Sequence, residues 1–118
     1  MLIVMRILGE DENMVKEKLS EIGYAEKINE INSPVLREEF CDILMKLYSS
    51  QKGNFKITVD YNAFSDFSKI KTENQPSIWG ARDLGLFKGD INNNFNPHKT
   101  LTRAEAATVI NRLSFIIK

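Results

Sequence analysis

The chain has 118 residues, of which 42% are hydrophobic and 27% are charged, and its formal net charge is zero. These values suit one small globular domain with a modest core. A net charge of zero excludes a long-range electrostatic attraction of the whole chain to nucleic acid or to an anionic membrane. The single cysteine, Cys41, excludes an internal disulfide and argues against a cysteine-based zinc site, and no apolar run approaches transmembrane length.

Charge is distributed unevenly along the chain. Residues 1–48 hold ten Asp or Glu against six Lys or Arg, a balance of −4, whereas residues 49–118 hold the reverse, a balance of +4. Either the two halves attract each other, or the second half faces an acidic ligand.

The first segment, Leu2 to Leu8, is apolar but interrupted by Arg6. It lacks a preceding basic region and a following small-residue cleavage site, so it does not fit a signal peptide. Either the protein is cytoplasmic, or the chain begins downstream of the natural N-terminus. We predict a helix for this segment.

A first helical unit follows. The stretch MVKEKLSEIGY is a short helical pattern that ends at Gly23, which fits a left-handed C-terminal cap. After a loop, Val35 to Leu47 has the spacing of an amphipathic helix.

The connector between the units contains turn residues and one strand-like alternation. Its apolar side chains, Phe55, Ile57, Val59 and Tyr61, fall on one side. Because a lone strand needs a partner, we expect an extended connector that packs along the helices.

A second helical unit closes the chain. The stretch SIWGARDLGLF contains Gly85, which also fits a C-terminal cap. Further on, Thr102 and Glu105 have the spacing of a capping box, which predicts a helix that starts at Arg103. Its apolar stripe would contain Ala106, Val109, Ile110, Leu113 and Ile117.

The loop before this helix places Asp90, Asn92 and Asn94 at alternate positions, as a calcium loop does. Counted from Asp90, however, the required glycine is replaced by Phe95 and the required acid by Leu101. An asparagine-rich turn is therefore the better interpretation.

The two units are related by an offset of 66 residues without gaps. Val35 to Leu47 aligns with Leu101 to Leu113, which matches Arg37 with Arg103 and Glu39 with Glu105. The first copy has Leu36 in place of the capping threonine, so we expect its capping box to be lost.

These motifs together resemble the S-layer homology (SLH) family. The stretches FSDFS, DLGLFKGD, FNP and LTRAEAATVINRL occur in the order and approximate spacing of an SLH repeat. The resemblance divides the chain into the tail of a preceding repeat or N-terminal segment (1–13), a degenerate repeat (14–48), a connector (49–63) and a good repeat (64–118).

The resemblance implies an all-α fold of helical repeats and non-covalent anchoring to the Gram-positive cell wall, with no catalysis and no cofactor. The implied partner is an acidic, often pyruvylated, secondary cell-wall polysaccharide bound in grooves between repeats. The implied location is extracellular and cell-wall associated, or cytoplasmic if Met1 is the native start. No metal, nucleic acid or membrane insertion is expected.

Carried over from the family, the ligand-contacting role falls on Arg103 and, more weakly, on Arg37. An arginine in the first helical turn lies beside unpaired backbone N–H groups and can bind a carboxylate through two donors. Trp79 could stack on a sugar ring, and Lys88 and Lys99 could add positive charge at the groove. Each candidate also has an ordinary structural interpretation: Arg103 as a solvated or ion-paired residue at the helix start, Arg37 as an ion-pair partner within the acidic first half, Trp79 as core, and Lys88 and Lys99 as solvated loop residues.

Two alternatives remain open from the sequence. A degenerate SLH fold could serve as a protein–protein interaction or oligomerisation module, including docking to an SLH repeat of the parent protein, because two repeats leave one face uncovered. A dockerin-type calcium module using Asp90, Asn92 and Asn94 is the third hypothesis. Glu105 has no second carboxylate or nucleophile at a recognisable spacing, so no enzyme site is predicted.

Overall fold

The computed structural model describes residues 35–117, apart from seven helical side chains. Those side chains belong to Ser50, Gln51, Arg103, Ile110, Ser114, Phe115 and Ile117. The N-terminal segment 1–13 and most of the first predicted unit, including Gly23, lie outside the described residues.

The described part of the chain contains three α-helices: α1 (Arg37–Lys52), α2 (Gln75–Asp83) and α3 (Arg103–Ile117). Two short 3-10 helices, Phe67–Lys69 and Thr72–Asn74, precede α2. Between residues 35 and 117 the extended backbone forms no strand, only one isolated antiparallel bridge. The predicted all-α fold is therefore confirmed. None of the described helices is both long enough and apolar enough to cross a membrane.

Helix α1 keeps half of the capping box that its sequence seemed to lose. Leu36 has no side-chain acceptor, but a carboxylate oxygen of Glu39 accepts the Leu36 backbone N–H at 3.4 Å. The prediction that the capping box is lost is therefore wrong for one of its two bonds. Glu39, at the N3 position, still accepts the N-cap backbone N–H, although Leu36 has no hydroxyl to accept in return. The helix ends at Gly53, which has φ of +84° and donates its N–H to Ser49 O.

Helix α3 keeps the other half of the box. Thr102 Oγ1 accepts the backbone N–H of Glu105 at 3.1 Å, and its hydroxyl contacts the Glu105 carboxylate at 3.0 Å. Because the Glu105 side chain bonds this hydroxyl, it is held close to the start of the helix. The helix begins at Arg103, as the sequence predicts.

Helix α2 ends in a Schellman motif. Gly85 has φ of +73°, its N–H bonds Arg82 O, and the N–H of Leu86 bonds Ala81 O. The left-handed residue satisfies the last carbonyls of the helix and turns the chain back toward the core.

One hydrophobic core joins the three helices and the loops between them. It contains Phe40, Leu44 and Met45 from α1, Ile78 and Trp79 from α2, Ala106, Val109 and Leu113 from α3, and Phe64, Phe67, Leu86, Phe87 and Phe95 from the loops. The loop aromatic residues complete this core, so the repeat carries several buried phenylalanines outside its helices.

The connector is extended, and its apolar side packs at its two ends but not between them. Phe55 is half-buried against the core, whereas Ile57, Val59 and Tyr61 are exposed. Phe55 reaches α2 because Gly80 has no side chain: a Cβ on Gly80 would lie 2.3 Å from the Phe55 ring. The expected packing along the helices therefore holds for Phe55 and for Tyr61, whose ring lies edge-on to Trp79 of α2 at 5.4 Å, whereas Ile57 and Val59 face solvent.

A buried aspartate fixes the loop that leads to α3. The two carboxylate oxygens of Asp66 accept the backbone N–H groups of Phe95 and Asn96, each at 2.8 Å. Two buried N–H groups thereby receive partners that the irregular backbone cannot supply.

We predict that Gly80→Ala lowers stability by about 1–3 kcal/mol, because the added methyl would overlap the Phe55 ring. Urea unfolding followed by circular dichroism measures the change. In open space the same substitution would stabilise a helix by roughly 1 kcal/mol, so a neutral or positive result would contradict the close contact. In the Phe55→Leu background the penalty should shrink.

We predict that Asp66→Ala costs about 2–4 kcal/mol in the same assay, since it leaves two backbone N–H groups without acceptors. Asp66→Asn, which retains one acceptor oxygen, should cost less. The control is Asp83→Ala, which removes an exposed carboxylate bonded to Thr58. Equal losses for Asp66→Ala and Asp83→Ala would rule out the proposed role of the buried pair of bonds.

Candidate functional site

The two repeats meet at a short backbone seam in front of their long helices. The N–H of Arg37 bonds Lys99 O at 3.0 Å, and the N–H of Leu101 bonds Val35 O at 2.9 Å. These bonds flank the antiparallel bridge between Leu36 and Thr100. The seam brings the first turns of α1 and α3 together, although 66 residues separate them in sequence.

Arg37 spans this seam. Its Nε donates to Phe95 O at 2.8 Å, and its Nη1 forms an ion pair with Glu105. The guanidinium also lies over the rings of Phe87 and Phe95, 5.5 and 5.2 Å from their centroids. With 14% of its side chain exposed, Arg37 is largely enclosed by the second repeat.

This environment makes Arg37 an inter-repeat contact. The sequence suggested an ion pair within the acidic first half, but the partner shown is Glu105 in the second half. The reason is the seam, which places the two signature segments side by side. The partly buried guanidinium gives two of its five N–H donors to a carbonyl and a carboxylate of the second repeat, and this pairing fixes its position at the seam.

A pocket of about 180 Å³ opens beside this arginine. Its wall is formed by Arg37, Leu86, Phe87, Lys88, Glu105, Thr108, Val109 and Arg112. Three cationic side chains and one carboxylate therefore surround one small cavity. Since Glu105 is already paired with Arg37, Lys88 and Arg112 supply the remaining positive charge.

Arg112 is a pocket residue that the sequence interpretation missed. Its Nη1 donates to Leu86 O at 3.1 Å, which holds the side chain against the loop after α2. The sequence did contain a signal, because Glu105, Thr108 and Arg112 follow the i, i+3, i+7 spacing of one helix face.

The other predicted ligand residues take different positions. Lys88 lines the pocket and is exposed. Lys99 is also exposed but does not line it; its carbonyl belongs to the seam. Arg103 is the first residue of α3, and its side chain lies outside the described atoms.

Trp79 lies in the core, not at the pocket. It is 6% exposed, its Nε1 donates to Asp60 O at 2.8 Å, and its ring stacks on Phe67 at 5.2 Å. Little of the indole is accessible to a sugar ring, so the structural interpretation of Trp79 replaces the ligand one.

The Asp90 loop is a turn held by its own carboxylate. Asp90 Oδ1 accepts the N–H groups of Asn92 and Asn94, and Oδ2 accepts the Asn96 side-chain amide. The hydrogen bonds from Asn94 and Asn96 lower the pKa of Asp90. Among the described residues, no three His, Cys, Asp or Glu side chains cluster as metal ligands would.

Comparison with known proteins gives the family. The S-layer homology domain model matches residues 63–107. The chain is 47% identical over 45 residues to the surface-layer 125 kDa protein of Lysinibacillus sphaericus, which is 38% of this chain and 4% of that protein. No solved structure gives a significant match.

Two enzymes also contain a similar stretch. An amylopullulanase of Thermoanaerobacterium thermosulfurigenes is 33% identical over 79 residues, and exoglucanase XynX of Acetivibrio thermocellus is 30% identical over 79 residues. Each match covers 67% of this chain but only 4% and 7% of the respective enzyme.

The chain therefore spans less than a tenth of the length of the curated relatives that it matches, and their enzyme names assign no catalysis to it. The matched region has the repeat motifs and the helical fold described above. Residues 63–107 of this chain are an S-layer homology domain.

Proposed function

We propose that this chain anchors its parent protein to the cell wall by binding an acidic secondary cell-wall polysaccharide. We further propose that the pocket between the repeats receives the acidic group. The observation that supports this proposal is the convergence of Arg37, Lys88 and Arg112 on one cavity of an S-layer homology domain.

Within the pocket, the proposal assigns the ligand contact to Arg112 and Lys88. One Arg112 nitrogen bonds Leu86 O, and a guanidinium has five N–H donors, so others can form a fork to a carboxylate. Lys88 adds an exposed positive charge at the same cavity. Thr108 donates its hydroxyl to Ala104 O, which leaves the hydroxyl oxygen able to accept from a sugar.

The proposal gives Arg37 a supporting role. Its contacts with Phe95 O and Glu105 hold the pocket wall together, so its loss should reduce binding by disturbing the seam. Arg103 keeps the ligand-contacting role that the family resemblance implies, because it begins α3 in the same signature segment.

The test is co-sedimentation of the purified chain with Gram-positive cell-wall sacculi, before and after acid extraction of their secondary polysaccharide. We expect binding to intact sacculi and loss of binding after extraction. Binding that survives extraction would refute the polysaccharide as ligand, and no binding to either preparation would refute the anchoring role of this chain alone.

We predict that Arg112→Gln with Lys88→Gln weakens this binding at least about tenfold, because both remaining pocket cations are removed. The matched control is Arg82→Gln, which removes an arginine that pairs with Asp60 and does not line the pocket. Circular dichroism before each assay establishes that the variants are folded. Binding equal to that of the Arg82→Gln control would exclude the pocket.

A separate variant, Arg103→Gln, tests the residue implied by the family. Loss of binding in this variant with retention in Arg112→Gln and Lys88→Gln would place the ligand at the start of α3 instead. Because exposed ion pairs are screened by salt, binding through either site should weaken as sodium chloride rises from about 0.05 to 0.5 M.

The alternative function is an interaction or oligomerisation module, and one observation favours it. Ile57, Val59 and Tyr61 expose 47%, 60% and 67% of their surface along the extended connector. Analytical ultracentrifugation tests this hypothesis. A dimer that dissociates in Val59→Lys would support it, and a monomer at all concentrations would remove self-association.

A further inference from the structure

Glu38 is a fully buried acid, and one of its carboxylate oxygens has no hydrogen-bond partner. It lies in the first turn of α1 and is 0% exposed. Its Oε2 accepts the backbone N–H of Lys71 at 3.0 Å, whereas its Oε1 is buried without a hydrogen-bond partner. A buried carboxylate oxygen without a partner is costly, so its presence requires an explanation.

The repeat does not need an acid at this position. At the offset of 66 residues, the equivalent residue in α3 is Ala104, which is exposed. The buried acid is therefore specific to the contacts that α1 makes with the second repeat. The residue that faces its unpaired oxygen is the one to identify.

That residue is His98. Its Nε2 lies 3.6 Å from Glu38 Oε1, and its side chain is 58% exposed on the loop before α3. The separation is too long for a hydrogen bond between neutral groups but lies within ion-pair range. An imidazolium carries a donor on each ring nitrogen, and an exposed side chain can rotate the small distance required.

We propose that His98 and Glu38 form a proton-dependent latch between the two repeats. When His98 is protonated, it pairs with the buried oxygen of Glu38. When His98 loses its proton, that oxygen has no cationic partner and the latch opens. This inference does not depend on the proposed ligand.

The charged groups nearest to the pair are engaged elsewhere or exposed. On α1, Arg37 is paired with Glu105, and Asp42 contacts the Ser77 hydroxyl at 2.6 Å and Lys46 at 3.0 Å.

On the segments packed against Glu38, Asp66 is buried and bonded to the N–H groups of Phe95 and Asn96, whereas three further charged residues face water. Lys71 contributes its backbone N–H while its side chain is exposed, and Glu73 and Lys99 are exposed as well. Solvent screens these charges, so protonation of His98 is the event that changes the environment of Glu38 Oε1.

The latch acts on the seam that holds Arg37, one of the residues of the pocket wall. The N–H of Glu38 bonds Pro97 O at 3.3 Å, and the N–H of the preceding Arg37 bonds Lys99 O. Both carbonyls belong to neighbours of His98 in sequence. Opening of the latch therefore removes one of three adjacent contacts that join α1 to the loop.

The sign of the pH effect follows from the pairing. A folded chain that holds His98 protonated binds more protons than the unfolded chain, so the free energy of unfolding falls as pH rises. His98 is the chain's only histidine, and burial raises the pKa of the Cys41 thiol. Because no other imidazole is present, His98→Gln isolates the contribution of this side chain.

We expect the unfolding equilibrium constant to rise about three- to tenfold between about pH 5 and 7 in urea titrations. His98→Gln should remove this dependence, because glutamine does not titrate. A His98→Gln variant with the same pH dependence as the parent chain would overturn the proposal.

A second measurement follows His98 directly. Its imidazole proton signals in NMR give the pH at which it titrates, and we expect Glu38→Gln to lower that midpoint by about half a unit or more. The control is Glu73→Gln, which makes the same chemical change at an exposed acid. Equal midpoints in the two variants would overturn the latch, and should Glu38→Gln fail to fold, the His98→Gln titration still decides the question.

Discussion

The rest of this structure depends on the enclosure of Arg37. Its guanidinium bonds Phe95 O, pairs with Glu105 and lies over two phenylalanine rings, so one side chain from the first repeat satisfies groups of the second. A charge removed from water is tolerated only when its donors are used and its partner is close. That requirement fixes the distance between α1 and α3, and the pocket is the space left beside the arginine.

The loop before α3 is built to receive this arginine. Asp66 holds the N–H groups of Phe95 and Asn96, and Asp90 closes the preceding turn through its own carboxylate. Both acids, including the Asp90 that resembles a calcium ligand in the sequence, therefore bond to the backbone of the loop. The charges that remain available at the pocket are cationic, which accounts for the acidic ligand in the proposed function.

The sequence differences between the two repeats change how their long helices begin. Each repeat keeps one half of the capping box: Glu39 in the first and Thr102 in the second. Glu105 is then available to pair with Arg37. One position earlier, Glu38 occupies the place that Ala104 has in the second repeat, and it is the buried acid on which the proposed latch depends. Where the two repeats differ in sequence, their matching residues therefore play different roles at the interface between them.

The sequence by itself determined the helical fold, the start of α3 and the glycine at the end of α2, because capping, periodicity and left-handed backbone are local properties. Only the tertiary structure decided which charged residues meet. It paired Arg37 with Glu105 across 68 residues, brought Arg112 to the pocket and buried Trp79 against Phe67. Those outcomes depend on how the two repeats pack, which no local pattern in the sequence specifies.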